Sequence, residues 1–477
     1  MQESWKPKRG DIVVRHPRQK EIKPISVEMK PRKHRSSKMV ASPLILIYGF
    51  AILIAFGTGL LMLPISNSQG TITPFMDAFF TATSAVTVTG LVIQESSTYW
   101  SKIGQGIILG LIFVGGLGFM TGATFLFIII GRRITLVNRM LMRESLGINK
   151  LGGLVRLTRN IVIFAVFIQL LGFIALFSTF RSHFTIEEAI WQAAFHAVSA
   201  FNNAGFTILP NTSSLGVFQS DGPILAIFTV LIIMGSISYL VLFDMIRYRK
   251  FRLFTVNTKL VLIIGGALWL IGAIIIFLAE YSNPSTLGPL SLIDKIINSF
   301  FHSVSGRTAG FVTVGFGTMR QHTDFFIIGL MFIGGASAST AGGIKVNTFA
   351  IILTTLFATL KGRGQTSAFG REIPSDQVYR ALLIGALASA FVFVVAFFLA
   401  FAEPEIPFEQ LLFESVSAFG TVGMTSGKTA LLSNSSQLIL IVTMFIGRIG
   451  PLSLVLLMAT REKRDAYRYA QERVTIG

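Results

Sequence analysis

The chain has 477 residues, 52% hydrophobic and only 13% charged, with a mean hydropathy of +0.67; that balance excludes an ordinary water-soluble globular protein. Cysteine is absent, which excludes disulfides, zinc clusters, iron–sulfur sites and cysteine nucleophiles together. The net charge of +18 belongs to a membrane chain, where its distribution matters more than its total, and is not read as a sign of nucleic acid.

Residues 1–40 carry 12 Lys+Arg and 4 Asp+Glu, scattered prolines and no apolar periodicity, which reads as a basic cytoplasmic tail with little fold of its own. No Asp, Glu, Lys or Arg then occurs from 39 to 76, and 42–63 alone is long enough to cross about 30 Å of hydrocarbon as a helix. This segment starts too late and runs too long for a secretory signal peptide. Eight strong apolar spans follow the tail, at about 42–64, 103–131, 156–180, 223–246, 257–279, 325–360, 378–402 and 435–459. Each odd span is followed by a shorter, less apolar segment. If these segments share one side of the membrane, the terminal side holds 33 Lys+Arg and 11 Asp+Glu and the other side 6 and 12. The positive-inside rule then places both termini in the cytoplasm.

Aligning the shorter segments on a serine gives Thr83-Ser84-Ala85, Val198-Ser199-Ala200, Val304-Ser305-Gly306 and Val416-Ser417-Ala418, each followed by a glycine: Gly90, Gly205, Gly310 and Gly423. The glycines are 115, 105 and 113 residues apart, so one unit occurs four times; the third copy is one residue shorter between Ser and Gly. The expected fold class is therefore an all-α integral membrane protein of four pseudo-repeats of transmembrane helix, pore loop, transmembrane helix around one central pore. Its divisions are 1–40 (tail), 41–150, 151–254, 255–372 (with a broken second helix) and 373–477 (with the C-terminal tail).

The segments before the glycines read as short helices. Thr73-Pro74 offers a cap with proline at the first helical position, and Thr185-Ile186-Glu187-Glu188 a capping box. Too short to span, they must enter and return through non-helical backbone, which membranes tolerate only where it is buried or lines water. Their C-terminal ends, partially negative, would face the membrane interior and favour a cation. The expected filter is Thr87-Val88-Thr89-Gly90, Asn202-Asn203-Ala204-Gly205, Arg307-Thr308-Ala309-Gly310 and Gly420-Thr421-Val422-Gly423. Glycine permits the backbone angles that turn carbonyl oxygens inward, where they replace a K⁺ hydration shell. Arg307 is expected to point away from the ion toward an outer acidic partner.

The sixth span is interrupted by Gly334-Gly335-Ala336-Ser337-Ala338-Ser339-Thr340-Ala341-Gly342-Gly343-Ile344-Lys345, a run that a continuous helix disfavours. It reads as a break lining a cavity. Lys345 either adds positive charge there or snorkels to the surface. Arg448, inside the eighth span, costs about 3 kcal/mol or more unless paired or hydrated; it either acts on cations or binds helix-end carbonyls. His196 and His302 stand three residues before their serines, with Glu414 in that place in the fourth repeat. Without neighbouring carboxylates the histidines read as hydrogen-bonding elements, not metal ligands.

At these residues the chain resembles the Trk/Ktr/HKT superfamily of K⁺ transporters, in which four pore-loop repeats each supply a filter glycine. The match covers nearly all of 40–477, and eight spans without two leading helices resemble its KtrB-like branch. The resemblance implies K⁺ bound at the filter residues, with Gly90 in the first segment marking K⁺ preference, since Na⁺-preferring plant members carry Ser there. It implies that the glycine-rich run is a gating loop and that Arg448 sits just below the filter, repelling cations. It also implies a homodimer with the C-terminal Val474-Thr475-Ile476-Gly477 at its interface. A cytosolic ring subunit with regulator-of-K⁺-conductance domains would supply nucleotide sensing. No covalent cofactor is expected, and Na⁺ coupling stays open. Arg132-Arg133, 247–252 and 461–473 could dock an acidic surface or anionic membrane lipid. No phosphate loop, nucleophile elbow or metal-binding helix motif points to an enzyme. The leading expectation is K⁺ uptake across the cell membrane, with a freely gated K⁺ channel as the alternative and an intramembrane enzyme or receptor as a third class.

Overall fold

Long uncharged apolar runs with no water to solvate their backbone form helices, since each helix satisfies its own N–H and C=O groups. The computed structural model describes residues 44–118, 154–210, 214–315 and 317–450. The basic tail, the Arg132-Arg133 stretch, 461–473 and the C-terminal residues lie outside them. The described part is almost wholly helical. In chain order its helices are α1 (Leu44–Leu61), α2 (Phe75–Thr87), α3 (Lys102–Leu117), α4 (Leu154–Phe180), α5 (Ile186–Phe201), α6 (Gly222–Ser236), α7 (Tyr239–Tyr248) and α8 (Val256–Glu280). There follow α9 (Leu292–Thr308), α10 (Gln321–Phe332), α11 (Val346–Leu360), α12 (Ser375–Ala402), α13 (Phe408–Gly420) and α14 (Asn434–Ile449). A two-stranded hairpin, β1 (Ser367–Ala368) and β2 (Arg371–Glu372), lies between α11 and α12.

The helices α4, α8 and α12 are long and apolar enough to cross a membrane, yet only 33%, 28% and 28% of their most apolar windows is buried inside the protein. Phe393, Phe397 and Phe401 form an exposed stripe along α12, spaced by four residues so that they share one face. Such a surface suits lipid and not water. The short helices α2, α5, α9 and α13 are the opposite case. Nearly every residue in their last two turns is buried.

Each long or first helix packs on the short helix that follows it: α1 on α2, α4 on α5, α8 on α9 and α12 on α13. The second helix of each unit packs on the short helix of the next, α3 on α5, α6 on α9 and α10 on α13, and α14 returns to α2. The packing order therefore closes on itself.

Starts and stops differ in part from the sequence reading. Pro74 is itself the N-cap of α2, and Thr73 makes no hydrogen bond through its hydroxyl. Thr185 is the N-cap of α5, but its side chain makes no capping bond, so the capping box is not formed. The sixth span divides into α10 and α11, as its small residues suggest. The fourth span is broken too: α6 and α7 meet at 94°, because Ser238 caps a new helix by accepting from the Leu240 N–H at 3.2 Å. In the first and last units α3 and α14 end on Gly118 and Gly450, with φ of 82° and 90°. All four second helices therefore stop or bend shortly after packing against the short helices.

Candidate functional site

The ends of the short helices build the site. Thr87 and Gly420 are the last residues of α2 and α13, Arg307 and Thr308 lie in the last turn of α9, and Asn202 is the C-cap of α5. In the first, second and fourth units the fourth residue after the serine is left-handed: Val88 (φ 58°), Asn203 (φ 58°) and Thr421 (φ 49°). The next N–H then bonds back to the serine carbonyl, Thr89 to Ser84 at 2.8 Å, Ala204 to Ser199 at 2.8 Å and Val422 to Ser417 at 2.9 Å. This is a Schellman closure with a non-glycine residue at the left-handed position. A β-branched residue there is strained, and such strain gathers at functional sites. The third unit, one residue shorter, omits it: Ala309 has φ −124°, and the Ala309 and Gly310 N–H groups both reach the Ser305 carbonyl.

The chain then turns at the four glycines, with φ of 91° (Gly90), 72° (Gly205), 75° (Gly310) and 88° (Gly423). A Cβ added at Gly90 would meet the Ala204 carbonyl oxygen, at Gly205 that of Ala309, at Gly310 that of Val422 and at Gly423 that of Thr89, each closer than 3.0 Å. The glycines thus form a closed ring in the order one, two, three, four, one. At each corner the carbonyl that precedes a glycine abuts the glycine of the neighbouring unit. Only a residue without a side chain fits. Three of the aligned serines tie this backbone to their helices: Ser84 Oγ accepts from the Gly90 N–H (3.0 Å), and Ser199 and Ser305 donate to the Phe206 (2.8 Å) and Phe311 (2.6 Å) carbonyls. The helix C-termini adjoin the ring, so the partial negative ends of four helices converge on it.

Residues after the glycines, including Val92, Glu95, Thr207, Val312 and Thr425, line a cavity of about 670 Å³ on one face of the ring. Residues before the glycines meet the glycine-rich run on the other face. Added Cβ atoms at Gly342 and Gly343 would press on Thr421 and on the Gly420 backbone. Thr340 is the run's most connected residue. Its hydroxyl accepts from Asn203 Nδ2 (2.8 Å) and donates to the Gly235 carbonyl (2.9 Å), while Asn203 Oδ1 accepts from the Thr308 hydroxyl (2.9 Å). Elsewhere the Ala336 N–H bonds the Ser236 carbonyl (3.0 Å), the Ser337 N–H bonds Asn347 Oδ1 (2.8 Å), Ser339 N–H bonds the Ala336 carbonyl (3.2 Å), and Ala338 is left-handed with φ 60°. Gly334 and Gly335 pair with Ile344 and Val346 across the base of the run at 2.8 and 3.0 Å. The Lys345 ammonium turns back onto the Ala341 carbonyl.

Two arginines hold this run. Arg448 donates to the Thr340 carbonyl and to the Gly115 and Gly116 carbonyls at the end of α3. Arg307 corrects the sequence reading. It does turn from the ring, but among the described residues it meets no acidic partner: Nε and Nη2 donate to the Ile333 (3.0 Å) and Gly334 (2.9 Å) carbonyls and Nη1 to that of Gly265 (3.3 Å), with the guanidinium 5.3 Å from the Trp269 ring centre. Sequence reasoning missed this pairing. The signal for it was the break itself, which frees carbonyls that a five-donor guanidinium can satisfy. Buried His196 bonds the Gln192 carbonyl (2.8 Å), and buried His302 bonds the Thr313 hydroxyl (2.9 Å). Among the described residues no cluster of His, Asp or Glu could hold a metal ion.

The family model described as TrkH, a cation transport protein, matches residues 28–468. The Ktr system potassium uptake protein B of Bacillus subtilis is 42% identical, over 91% of this chain and 96% of its own length. The potassium/sodium uptake protein NtpJ of Enterococcus hirae is 37% identical, over 93% and 99%. Among solved structures, the potassium transporter TrkH from Vibrio parahaemolyticus superposes with a TM-score of 0.70 at 18% identity, covering 90% of this chain and 86% of its own. That likeness shows the fold alone. The resemblance of the chain to the Trk/Ktr superfamily is thereby borne out.

Proposed function

We propose that this chain, which belongs to the TrkH family of cation transport proteins, takes up K⁺ across the cell membrane as the ion-translocating subunit of a Ktr-type system. The observation that carries the reading is the closed ring of four positive-φ glycines with one preceding carbonyl at every corner. Four units of helix, pore loop and helix then surround one pore. Ordered carbonyl oxygens replace the waters a K⁺ ion sheds, and converging helix ends lower the energy of the bare cation. The outer cavity with Glu95 collects cations. K⁺ is cargo here, and Na⁺ is a second candidate because one relative is named for both ions.

The run from Gly334 to Lys345 is the gate. It lies against the inner face of the ring, and Arg448 and Arg307 hold it by its backbone. Cationic guanidinium donors bind carbonyls more strongly than neutral donors do, so the resting position is closed. That arrangement favours a regulated uptake pathway over a freely gated channel. Opening calls for a partner, and we assign that role to a cytosolic nucleotide-binding ring subunit acting on a homodimer whose termini face the cytoplasm. Anionic lipid is the further partner of the basic surface around 247–252.

Purified protein in liposomes provides the test. ⁸⁶Rb⁺ should enter in preference to ²²Na⁺, slowly alone and faster with a cytosolic ring subunit. Equal entry of both ions with and without that subunit would refute the reading.

A further inference from the structure

The position three residues before each aligned serine is buried in all four units, and the fourth unit fills it with an acid, Glu414, where the others have Thr81, His196 and His302. Glu414 is 0% exposed. Its Oε1 accepts from the Thr425 hydroxyl (2.6 Å), the Ser426 N–H (2.9 Å) and the Ser426 hydroxyl (3.1 Å), and its Oε2 lies 2.7 Å from the Thr429 hydroxyl. Thr429 Oγ1 is in turn 2.8 Å from Thr425 Oγ1, which also accepts from the Gly427 N–H at 2.9 Å.

These contacts can be counted in protons. Oε1, Thr425, Thr429 and Oε2 are linked by three oxygen–oxygen contacts, each of hydrogen-bond length. The two hydroxyls supply only two protons. Thr425 gives its proton to Oε1, Thr429 gives its proton to Thr425, and the contact between Thr429 and Oε2 is left for the carboxyl to fill. A neutral acid also suits the surroundings. The ion pair among the described residues is His183 with Asp221, remote in sequence from this site, and a buried carboxylate without a cation is costly.

We propose that Glu414 holds a proton and, as a neutral acid, is a positioning residue that fixes Thr425 and Ser426 beside Gly423 at the outer mouth. The protonation stands on the hydrogen-bond ring alone; the consequence for transport rests on the pore reading above. Charge at this position then does nothing for the ion, and shape does everything. Of its counterparts, His302 ties its own quadrant through the Thr313 hydroxyl at 2.9 Å, whereas the second quadrant is tied by Gln192 to the Ile208 carbonyl at 2.9 Å.

Infrared difference spectra of purified wild-type protein and Glu414→Gln test the proton without any transport. The carbonyl stretch of a protonated carboxyl should be present in the wild type and missing from the variant. Loss of a carboxylate band instead would overturn the protonation. Flux then tests the positioning. Glu414→Gln, which keeps one acceptor and one donor, should hold the K⁺ half-saturation and the Rb⁺/Na⁺ ratio within about twofold. Glu414→Val, or Thr429→Val should the first fail to fold, should lower the ratio about fivefold at little cost in maximal rate, the scale of one lost hydrogen bond. An unchanged ratio in a folded valine variant would overturn the positioning role. A rise in half-saturation in Glu414→Gln would show that charge was needed. If no variant or wild type discriminated between ions, the pore reading would fall while the infrared result stood.

Discussion

The third unit differs from the other three where they all agree. In units one, two and four a left-handed residue closes the short helix, and a glycine of the second helix packs onto that helix's last turn: Gly115 against Val86, Gly235 against Phe201 and Gly447 against Phe419. Unit three drops the left-handed residue and turns Arg307 into the last turn of its short helix. There the guanidinium grips the Ile333 and Gly334 carbonyls, where the broken second helix begins its excursion beneath the ring. Units one, two and four therefore share one closure, and the third trades that symmetry for an attachment to the glycine-rich run. One deleted residue between serine and glycine is the covalent root of the difference.

Removing most of the glycine-rich run, the proposed gate, tests that division most severely. Deletion of 336–342 should raise partner-free ⁸⁶Rb⁺ flux by about tenfold or more, because the bonds from Arg448, Asn203 and Ser236 vanish together; Arg448→Gln should produce part of that rise. A dead but well-folded deletion would argue against a gate.

The ring itself should break unevenly. At Gly205, whose neighbour is the shortened third unit, an added Cβ would sit 2.7 Å from the Ala309 carbonyl oxygen, the widest of the four corners. Gly423→Ala faces the tightest corner and should cost uptake about tenfold or more, from a left-handed backbone penalty of roughly 1–2 kcal/mol with the clash added. Gly205→Ala should be the mildest of the four alanine variants. Equal losses at both would mean that the third unit's shortening leaves the ring unaffected.

A smaller effect is expected at the contact between the two regions. Thr340→Val removes the hydroxyl's bonds to Asn203 and Gly235 but leaves the backbone N–H bond to Gly235 and the carbonyl that Arg448 holds. Basal flux should rise a few-fold, on the scale of about 1 kcal/mol for one net hydrogen bond.

The smallest effect lies outside both regions and serves as a control. Burial raises the Glu403 carboxyl, but bonds from the Ser433 hydroxyl and N–H and from Ser436 outweigh it and hold it below the ordinary carboxylate value. A depressed folded-state value means that its contribution is present above the ordinary carboxylate range and lost as pH falls through the lowered one. Thermal unfolding of wild type against Glu403→Gln should therefore converge in acid, with ring selectivity unaltered at neutral pH.

Much of this was legible in the sequence. Eight apolar spans and a serine–glycine register repeated four times located every short helix and every ring glycine, because lipid burial and positive φ each leave a compositional mark. The bend between α6 and α7 left almost none. Gly235-Ser236-Ile237-Ser238 sits in an apolar run, and the new helix start depends on Ser238 turning its hydroxyl to a backbone N–H that pattern alone does not reveal. Val88 and Thr421 were equally opaque, since β-branched residues are poor candidates for left-handed backbone and only the tertiary ring holds them there. The partner of Arg307 was sought among acids. The acceptors were backbone carbonyls exposed by a helix break some 26 residues further on.

The most direct measurement is the ratio of ⁸⁶Rb⁺ to ²²Na⁺ uptake into liposomes by purified wild type and Gly90→Ser. A side chain at Gly90 would press on the Ala204 carbonyl oxygen, widening the ring and disturbing one coordinating oxygen. The ratio should fall sharply while Na⁺ entry persists; an unchanged ratio in a folded variant would contradict the assignment of the four-glycine ring as the selectivity filter.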